Sequence, residues 1–312
     1  MKTKDHDKFA DIDKALKRLE HSISKLPEID VTEIADKVKT LRRQLYNGIS
    51  RWESLELARL SDRPGANEFI NIIFNDFMEL YGDRIYGDDP AIIGGLATLE
   101  DIPLVVIAHQ KHSAKKRDYI YHHYGMACPE GHYKAIRLMR LAEKFDKPIV
   151  TFVDTPGAYP GPEAEYKGQA FSIARCISTI ASVRIPVIAC IIGEAGSGGA
   201  LALGFGDRVI MLEHAFYSAI SPEGFSSIIW DDTSNKETAA DILKGTGHDL
   251  YNSGLIDYLV KEPVGGAHND PAMVMEDTKG AIKNFLKELS SMDRKDMLDA
   301  RVKKIKGMMP RD

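Results

Sequence analysis

The segment Val187-Ile-Ala-Cys-Ile-Ile192 runs directly into Gly193-Glu-Ala-Gly-Ser-Gly-Gly-Ala-Leu-Ala-Leu-Gly204. Its first six residues are apolar and mostly β-branched, without polar alternation, which is typical of a strand buried on both faces. The glycine-rich part ends in residues 200–203, Ala-Leu-Ala-Leu, which favour the start of a helix. A buried strand that turns sharply into a helix indicates an α/β fold.

The same kind of apolar run recurs on both sides of this segment. The other runs are Leu104–Ala108, Ile149–Val153 and Val209–Leu212. Helical patterns separate them, one from Glu130 to Phe145 and another from Ala164 to Val183. Strands that alternate with helices at this interval predict an α/β domain with a parallel sheet.

Helices are predicted at both ends of the chain. Two apolar stripes between residues 9 and 45, separated by a stop at Pro27 and a capping pattern at Asp30, predict a helical hairpin. Because this hairpin is too thin to hold a core, it must cover either the following domain or another chain. We therefore divide the chain into a partner-packing hairpin (1–60), an α/β domain (61–270) and C-terminal helices (271–312), the last with apolar faces at 282–292 and 297–305.

Composition excludes several classes of protein. The 312 residues include 41 Lys and Arg against 46 Asp and Glu, a net charge of −5, which disfavours binding to nucleic acid. The three cysteines form no CxxC pair, and His122-His123 lacks a third ligand at helical or hairpin spacing, so we expect no metal. There is neither a signal-peptide pattern nor a long apolar stretch, so we expect a cytoplasmic protein without membrane contact.

Two turns that follow predicted strands are candidates for chemistry: Asp154-Thr-Pro-Gly-Ala-Tyr-Pro-Gly161 and the glycine run 193–204. Backbone N–H groups at such a turn bind anions, including an oxyanion that forms during a reaction. The spacing matches neither a Walker-type nor a dinucleotide-binding loop, which favours a small oxyanion over a nucleotide. Tight packing of a helix against a strand is the alternative explanation of the glycines.

No nucleophile pattern accompanies these turns. Ser197 lacks an evident histidine partner and is interpreted as a turn or cap residue. Asp154 and Glu194 end the two predicted strands, and either one is a possible general base, although bracing of the turn N–H groups is the favoured interpretation. A site with oxyanion donors but no base suits a reaction whose base comes from a substrate or a cofactor.

At this point the sequence resembles the α-subunit family of the bacterial acetyl-CoA carboxylase carboxyltransferases. The resemblance covers roughly residues 52 to 270 and rests on many motifs in the same order. These motifs are 74–84 (FNDFMELYGDR), 88–95 (DDPAIIGG), 109–111 (HQK), 129–131 (PEG) with 134–139 (KAIRLM), 154–161 (DTPGAYPG), 196–204 (GSGGALALG), 220–224 (ISPEG) and 265–268 (GGAH).

The resemblance implies a crotonase-like ββα superhelix and a heterotetramer of two α and two β subunits, the β subunit carrying a zinc ribbon. It implies transfer of a carboxyl group from biotin, held on a separate carrier protein, to acetyl-CoA to form malonyl-CoA, the first committed step of fatty acid synthesis. The cofactor would itself act as the base. A carboxyltransferase or decarboxylase for another acyl-CoA, a hydratase-type enzyme acting alone and a non-catalytic scaffold are the alternatives.

The resemblance also leads to hypotheses for site residues. Gly198 and Gly199, with Gly157 and Ala158 on the facing turn, would donate to the oxyanion, and the residues expected to contact biotin are Ala200, Pro156, Tyr159, Ser197 and Glu194. Lys111, Lys115 and Arg117 would meet CoA phosphates, unless this basic run is only a solvated loop. The chain departs from the family pattern at 112–124, which is longer and rich in aromatic residues, and at 162–168.

Overall fold

The computed structural model describes residues 6–25, 32–112 and 118–307. The helices in chain order are α1 (His6–Ile23), α2 (Thr32–Asn47), α3 (Arg51–Ala58), α4 (Ala66–Ile73), α5 (Pro129–Lys144), α6 (Pro162–Tyr166), α7 (Gln169–Ser182), α8 (Ser197–Leu201), α9 (Pro222–Trp230), α10 (Lys236–Leu243), α11 (Gly247–Asn252), α12 (Pro271–Ser290) and α13 (Arg294–Gly307). The strands are β1 (Asn75–Glu79), β2 (Ile92–Leu99), β3 (Ile102–His109), β4 (Ile149–Thr155), β5 (Val187–Gly196), β6 (Arg208–Leu212), β7 (Phe216–Ser218) and β8 (Tyr258–Val260).

One sheet organises the molecule, in the order β1-β2-β3-β4-β5-β6-β8, with β7 paired to the far end of β5. The pairs from β3 onward are parallel, as predicted, and every residue of β4 and β5 is buried. The apolar runs predicted as strands lie in β3, β4, β5 and β6, which confirms those predictions.

The antiparallel edge of the sheet was not predicted from the sequence. β1 and β2 form antiparallel pairs, and β2 continues antiparallel into β3. Gly94 and Gly95 lie inside β2, and glycine has low strand propensity, so this segment carried a weak strand signal.

The helices between strands are close to the predicted positions. α5 begins at Pro129 and ends at Lys144, one residue earlier at each end than predicted. The second predicted helix is instead two helices, α6 and α7, because Gly168 adopts a left-handed φ of +81° between them.

The N-terminal hairpin is formed by α1 and α2. Arg42 of α2 forms an ion pair with Glu20 of α1 at 2.9 Å and donates to the carbonyl of Val264, while Lys17 lies 3.1 Å from the ring of His268. One side of the hairpin therefore covers this chain's own 264–268 segment. The predicted turn residues Pro27 and Asp30 lie outside the described residues, and the boundaries at 60 and 270 stay predictions.

Helix α13 packs differently from its predicted apolar face. Met297 is buried, but Val302 is 44% exposed, and Arg301 is fully buried. The Arg301 guanidinium forms a two-point ion pair with Asp207 at 2.8 and 2.7 Å and donates to the carbonyls of Val183 and Ile185. The core tolerates this charged side chain because its guanidinium is paired with a carboxylate and its N–H donors have acceptors. Among the described helices, none has the length and apolar character needed to cross a membrane.

Candidate active site

The two predicted turns lie side by side at the carboxyl ends of neighbouring strands. β4 ends at Thr155 and β5 at Gly196, and the two strands pair in parallel. This edge is where open parallel sheets place their ligand sites.

The turns touch through their backbones. A Cβ atom on Gly196 would lie 2.1 Å from the carbonyl oxygen of Pro156, and one on Gly199 would lie 2.5 Å from the amide nitrogen of Ala158. Because backbone atoms cannot move aside as a flexible side chain can, only glycine fits at these two positions. Tight packing, the alternative that the sequence left open, accounts for both glycines and at the same time brings the two sets of amides together.

Unpaired amide donors remain where the turns meet. The N–H groups of Gly198 and Gly199, in the first turn of α8, donate to none of the described residues, and neither does that of Ala158. The N–H of Gly157 instead donates to Thr155 Oγ1 at 3.2 Å, and that of Tyr159 donates to the carbonyl of Ala127. The arrangement can therefore stabilise negative charge with donors from both turns.

Ser197 begins α8 in a left-handed conformation, with φ of +57°. A non-glycine residue in this region is strained by about 1–3 kcal/mol, and such strain is concentrated at functional sites. The hydroxyl of Ser197 makes no hydrogen bond with histidine among the described residues. The backbone of Ser197, rather than its hydroxyl, thus sets the direction of the following amides.

The two carboxylates at the strand ends are already engaged. Asp154 lies 2.5 Å from the Lys111 ammonium and accepts the N–H of Glu194 at 3.1 Å, so it braces the second turn, as the favoured interpretation has it. Glu194 accepts two hydrogen bonds from Arg59, at 2.9 and 2.6 Å. Arg59 also pairs with Glu223; although burial alone would raise the pKa of Glu223, this hydrogen bond holds it below its usual range.

Two buried histidines, His109 and His132, lie near the turns and carry no strong signal in the sequence. Both ring nitrogens of His109 lack a hydrogen-bond partner among the described residues. Burial, assisted by His132 and Lys111, lowers the pKa of His109 to about 3, even though the Gly199 backbone favours the charged form. Burial likewise lowers the pKa of His132 to about 4. Their only sequence signal is that His109 opens the quoted HQK motif.

The chain's relatives identify the family to which these turns belong. The family model described as "Acetyl co-enzyme A carboxylase carboxyltransferase-like" matches residues 4–309. The chain belongs to this carboxyltransferase family. It is 43% identical over 307 residues to the acetyl-coenzyme A carboxylase carboxyl transferase subunit alpha of Geobacter metallireducens, covering 96% of both chains. The protein of the same name from Chlorobium phaeobacteroides is 46% identical over 287 residues, 90% of this chain and 85% of that protein.

Solved structures agree with the carboxyltransferase family at the level of the fold. The transcarboxylase 12S hexamer core superimposes with a TM-score of 0.61 at 18% identity over 77% of this chain, which spans less than half, 45%, of that chain. A Pseudomonas malonate decarboxylase hetero-tetramer gives a TM-score of 0.57 at 17% identity, covering 69% of this chain and 85% of that chain. The predicted crotonase-like fold is confirmed.

The other residues predicted to contact biotin or CoA do not all lie at the two turns. Pro156, Tyr159 and Ala200 lie on the two contacting turns. Lys111 is paired with Asp154 below the turns, with 14% of its side chain exposed, and its predicted contact with CoA stays a prediction. Lys115 and Arg117 lie outside the described residues.

An apolar pocket of about 390 Å³ adjoins the start of α8. Ser197 and Gly198 form one wall, and most of the others are hydrocarbon, including Leu201, Phe205 and Leu255. This pocket was not predicted from the sequence, because its walls come from separate segments of the chain. The turns thus combine polar amides with an adjacent space suited to an apolar ligand group.

Proposed function

We propose that this chain is the α-type half of an acetyl-CoA carboxylase carboxyltransferase, which transfers a carboxyl group from carrier-bound carboxybiotin to acetyl-CoA and so forms malonyl-CoA. Family membership over almost the whole chain supports the reaction. The observation that carries the assignment of the site is the backbone contact of Gly199 with Ala158, which brings unpaired amides from two turns together.

The residues present fit a biotin ring. Its urea oxygen would need N–H donors that can stabilise negative charge, rather than a fixed cation. Gly198, Gly199 and Ala158 supply such donors. The adjacent apolar pocket has room for the hydrocarbon part of the bicyclic ring. When bound, carboxybiotin supplies the carboxyl group and the base of the reaction.

The chain's own residues orient the ligand and stabilise charge. The amides of Gly198 and Gly199 donate from one side and that of Ala158 from the other. Each oxyanion donor of this kind contributes about 10²–10³ in rate, provided that the amide is fixed before the reaction. The strained Ser197 and the bracing carboxylate of Asp154 hold the amides in place.

No side chain is needed as base. Asp154 is occupied by Lys111 and an amide, and Glu194 by Arg59, so neither carboxylate stands free to take a proton. We therefore assign Glu194 to the scaffold beneath the turn rather than to direct contact with biotin. Because both carboxylates are already paired with cations, they support the view that the proton passes to the bound cofactor.

A partner subunit is required to hold acetyl-CoA. We propose the α2β2 assembly that the resemblance implies, with a zinc-ribbon β subunit and a biotin carrier protein as partners. The hairpin supports this assembly, because apolar residues of α1 and α2 remain about half exposed in this chain. These residues are Ile12, Leu19, Ile34 and Leu41.

The test is reconstitution with a β subunit and a biotinylated carrier, followed by measurement of malonyl-CoA formation. Gly199→Ala places a methyl group against the Ala158 amide, so we expect kcat to fall by at least about 10²-fold. Gly280→Ala adds the same methyl group in open space on α12 and serves as the matched control.

Two results would count against the proposal. One is full activity of a folded, assembled Gly199→Ala complex. The other is a wild-type complex that carboxylates propionyl-CoA but not acetyl-CoA, which would favour the alternative of another acyl-CoA substrate.

A further inference from the structure

Three side chains that can ligate a metal come from separate parts of the chain and converge beside the turn formed by residues 154–161. They are Asp89, His123 and Cys128. Asp89 lies just before β2, and Cys128 lies just before α5. Their ligand atoms all lie within 4.8 Å of one another. His123 belongs to the 112–124 stretch in which this chain departs from the family pattern.

The distances between the ligand atoms are slightly longer than those of a metal-bound ligand shell. His123 Nδ1 lies 3.8 Å from Cys128 Sγ and 3.8 Å from Asp89 Oδ1. In a tetrahedral zinc site, the usual metal–ligand bond lengths place neighbouring ligand atoms about 3.3–3.6 Å apart. The two distances from His123 Nδ1 exceed these values by a few tenths of an ångström, and the Cys128 and Asp89 ligand atoms lie within 4.8 Å of each other, so side-chain adjustment would bring the three atoms around one ion.

The same distances argue against a cysteine–histidine catalytic triad. In a triad the nucleophile and the orienting carboxylate contact opposite nitrogens of the imidazole ring. Here the thiol and the carboxylate both approach Nδ1. This convergence on one ring nitrogen is expected of groups that share a cation.

The surroundings hold the ligands in place. The Asp89 carboxylate accepts the N–H groups of Ala91 and Cys128, at 2.9 and 2.8 Å. The His123 ring packs against Tyr159, with centroids 4.7 Å apart. Such outer contacts orient metal ligands and strengthen their affinity.

A cavity of about 220 Å³ opens onto the cluster. Asp89, His123 and Cys128 all line it, together with Glu130, Glu163 and Lys167. The cavity leaves room for a fourth ligand, either water or a small donor from solvent. His123 is one-third exposed, so an ion can reach the site.

We propose that Asp89, His123 and Cys128 bind a Zn²⁺ ion with an open fourth coordination position. A thiolate, an imidazole and a carboxylate together suit Zn²⁺ better than the hard cations Mg²⁺ and Ca²⁺, which prefer oxygen. The site differs from the sequence prediction of no metal, because its ligands are neighbours only in the folded chain. It does not depend on the proposed function.

The test is Co²⁺ titration of the full metal-free chain, with Zn²⁺ as competitor. We expect one Co²⁺ per chain, with a thiolate-to-metal charge-transfer band and tetrahedral d–d bands, both of which Zn²⁺ removes. Cys128→Ala and His123→Asn should each abolish the charge-transfer band or weaken binding by at least about tenfold. Asp89 is left unchanged because it also holds two backbone amides.

The matched control is His248→Asn. His248 Nε2 lies 2.8 Å from Glu213, a histidine–carboxylate pair without a thiol, so its loss should leave the Co²⁺ spectrum unchanged. Zn²⁺ should also raise the melting temperature of the wild type and of His248→Asn but not of Cys128→Ala. Binding without a charge-transfer band, equal binding by a folded Cys128→Ala chain, or no binding by the folded wild type would overturn the proposal.

Discussion

Lys111 Nζ lies 2.5 Å from Asp154 Oδ1, at the end of β4 from which the first turn begins. The same carboxylate oxygen accepts the N–H of Glu194. One side chain thus connects the segment after β3, the end of β4 and the end of β5. The position of the turns relative to each other depends on this pair, and its removal has a defined consequence.

Lys111→Met leaves the nearly buried Asp154 carboxylate without its cation. We expect a loss of about 3–5 kcal/mol in the free energy of unfolding, measured with urea, because a buried charge is left unpaired. Lys283→Met removes an exposed ion pair with Glu100 and should leave the stability unchanged. A stable Lys111→Met chain whose only defect was a raised KM for acetyl-CoA would instead favour the predicted CoA contact.

Stability should fall as the pH drops from about 6.5 towards 4. Burial lowers the pKa of His109 to about 3 and that of His132 to about 4, so below their ordinary pKa the unfolded chain binds more protons than the folded chain. Each histidine contributes up to about 1.4 kcal/mol per pH unit in this window.

The His109 contribution can be measured separately. His109→Leu removes the buried ring whose pKa burial lowers, and should make the acid-induced loss of stability shallower. His248→Leu, at an exposed histidine, controls for the number of histidines. Urea titrations at several pH values give the slope, and an unchanged slope in His109→Leu would contradict the assignment.

Ser197 should matter through its backbone rather than its hydroxyl. We expect Ser197→Ala and Ser197→Gly to keep carboxyltransferase activity within a few fold. Ser197→Val forces a β-branched residue into the left-handed region and should cost about 1–3 kcal/mol of stability as well as activity. If Ser197→Ala alone lost about 10²-fold in kcat in the reconstituted complex, a role for the hydroxyl would replace this interpretation.

Neighbouring glycines of the second turn should respond differently to a methyl group. A Cβ on Gly196 would meet the Pro156 carbonyl, whereas one on Gly198 would meet only Ile173 Cγ2, at 3.2 Å. We expect Gly196→Ala to be the more destabilising, as measured by thermal unfolding. The second change Ile173→Ala should relieve the methyl contact in Gly198→Ala but not in Gly196→Ala. Equal relief in both would show that the turns are looser than the structure describes.

The sequence predicted the parallel core because strands buried on both faces carry continuous apolar runs, as in Val187–Ile192. It missed β2, where glycines dilute the strand signal. The two turns were found through their glycines, but the pairing of Glu194 with Arg59 depends on a tertiary contact between residues 135 positions apart. The burial of Arg301 was missed for the same reason, since a charged residue in an amphipathic helix is ordinarily assigned to the solvent face.

The Arg301 clamp has a consequence for biosynthesis. Its carboxylate partner, Asp207, precedes it by 94 positions, and the carbonyls of Val183 and Ile185 by more than a hundred. While the ribosome is still adding α12 and α13, Arg301 is missing. The Asp207 carboxylate and the carbonyls of Val183 and Ile185, beside β5 and β6, then lack the cation that pairs with them in the folded chain. The nascent polypeptide therefore cannot finish this part of its interior until α13 has been synthesised and Arg301 is available.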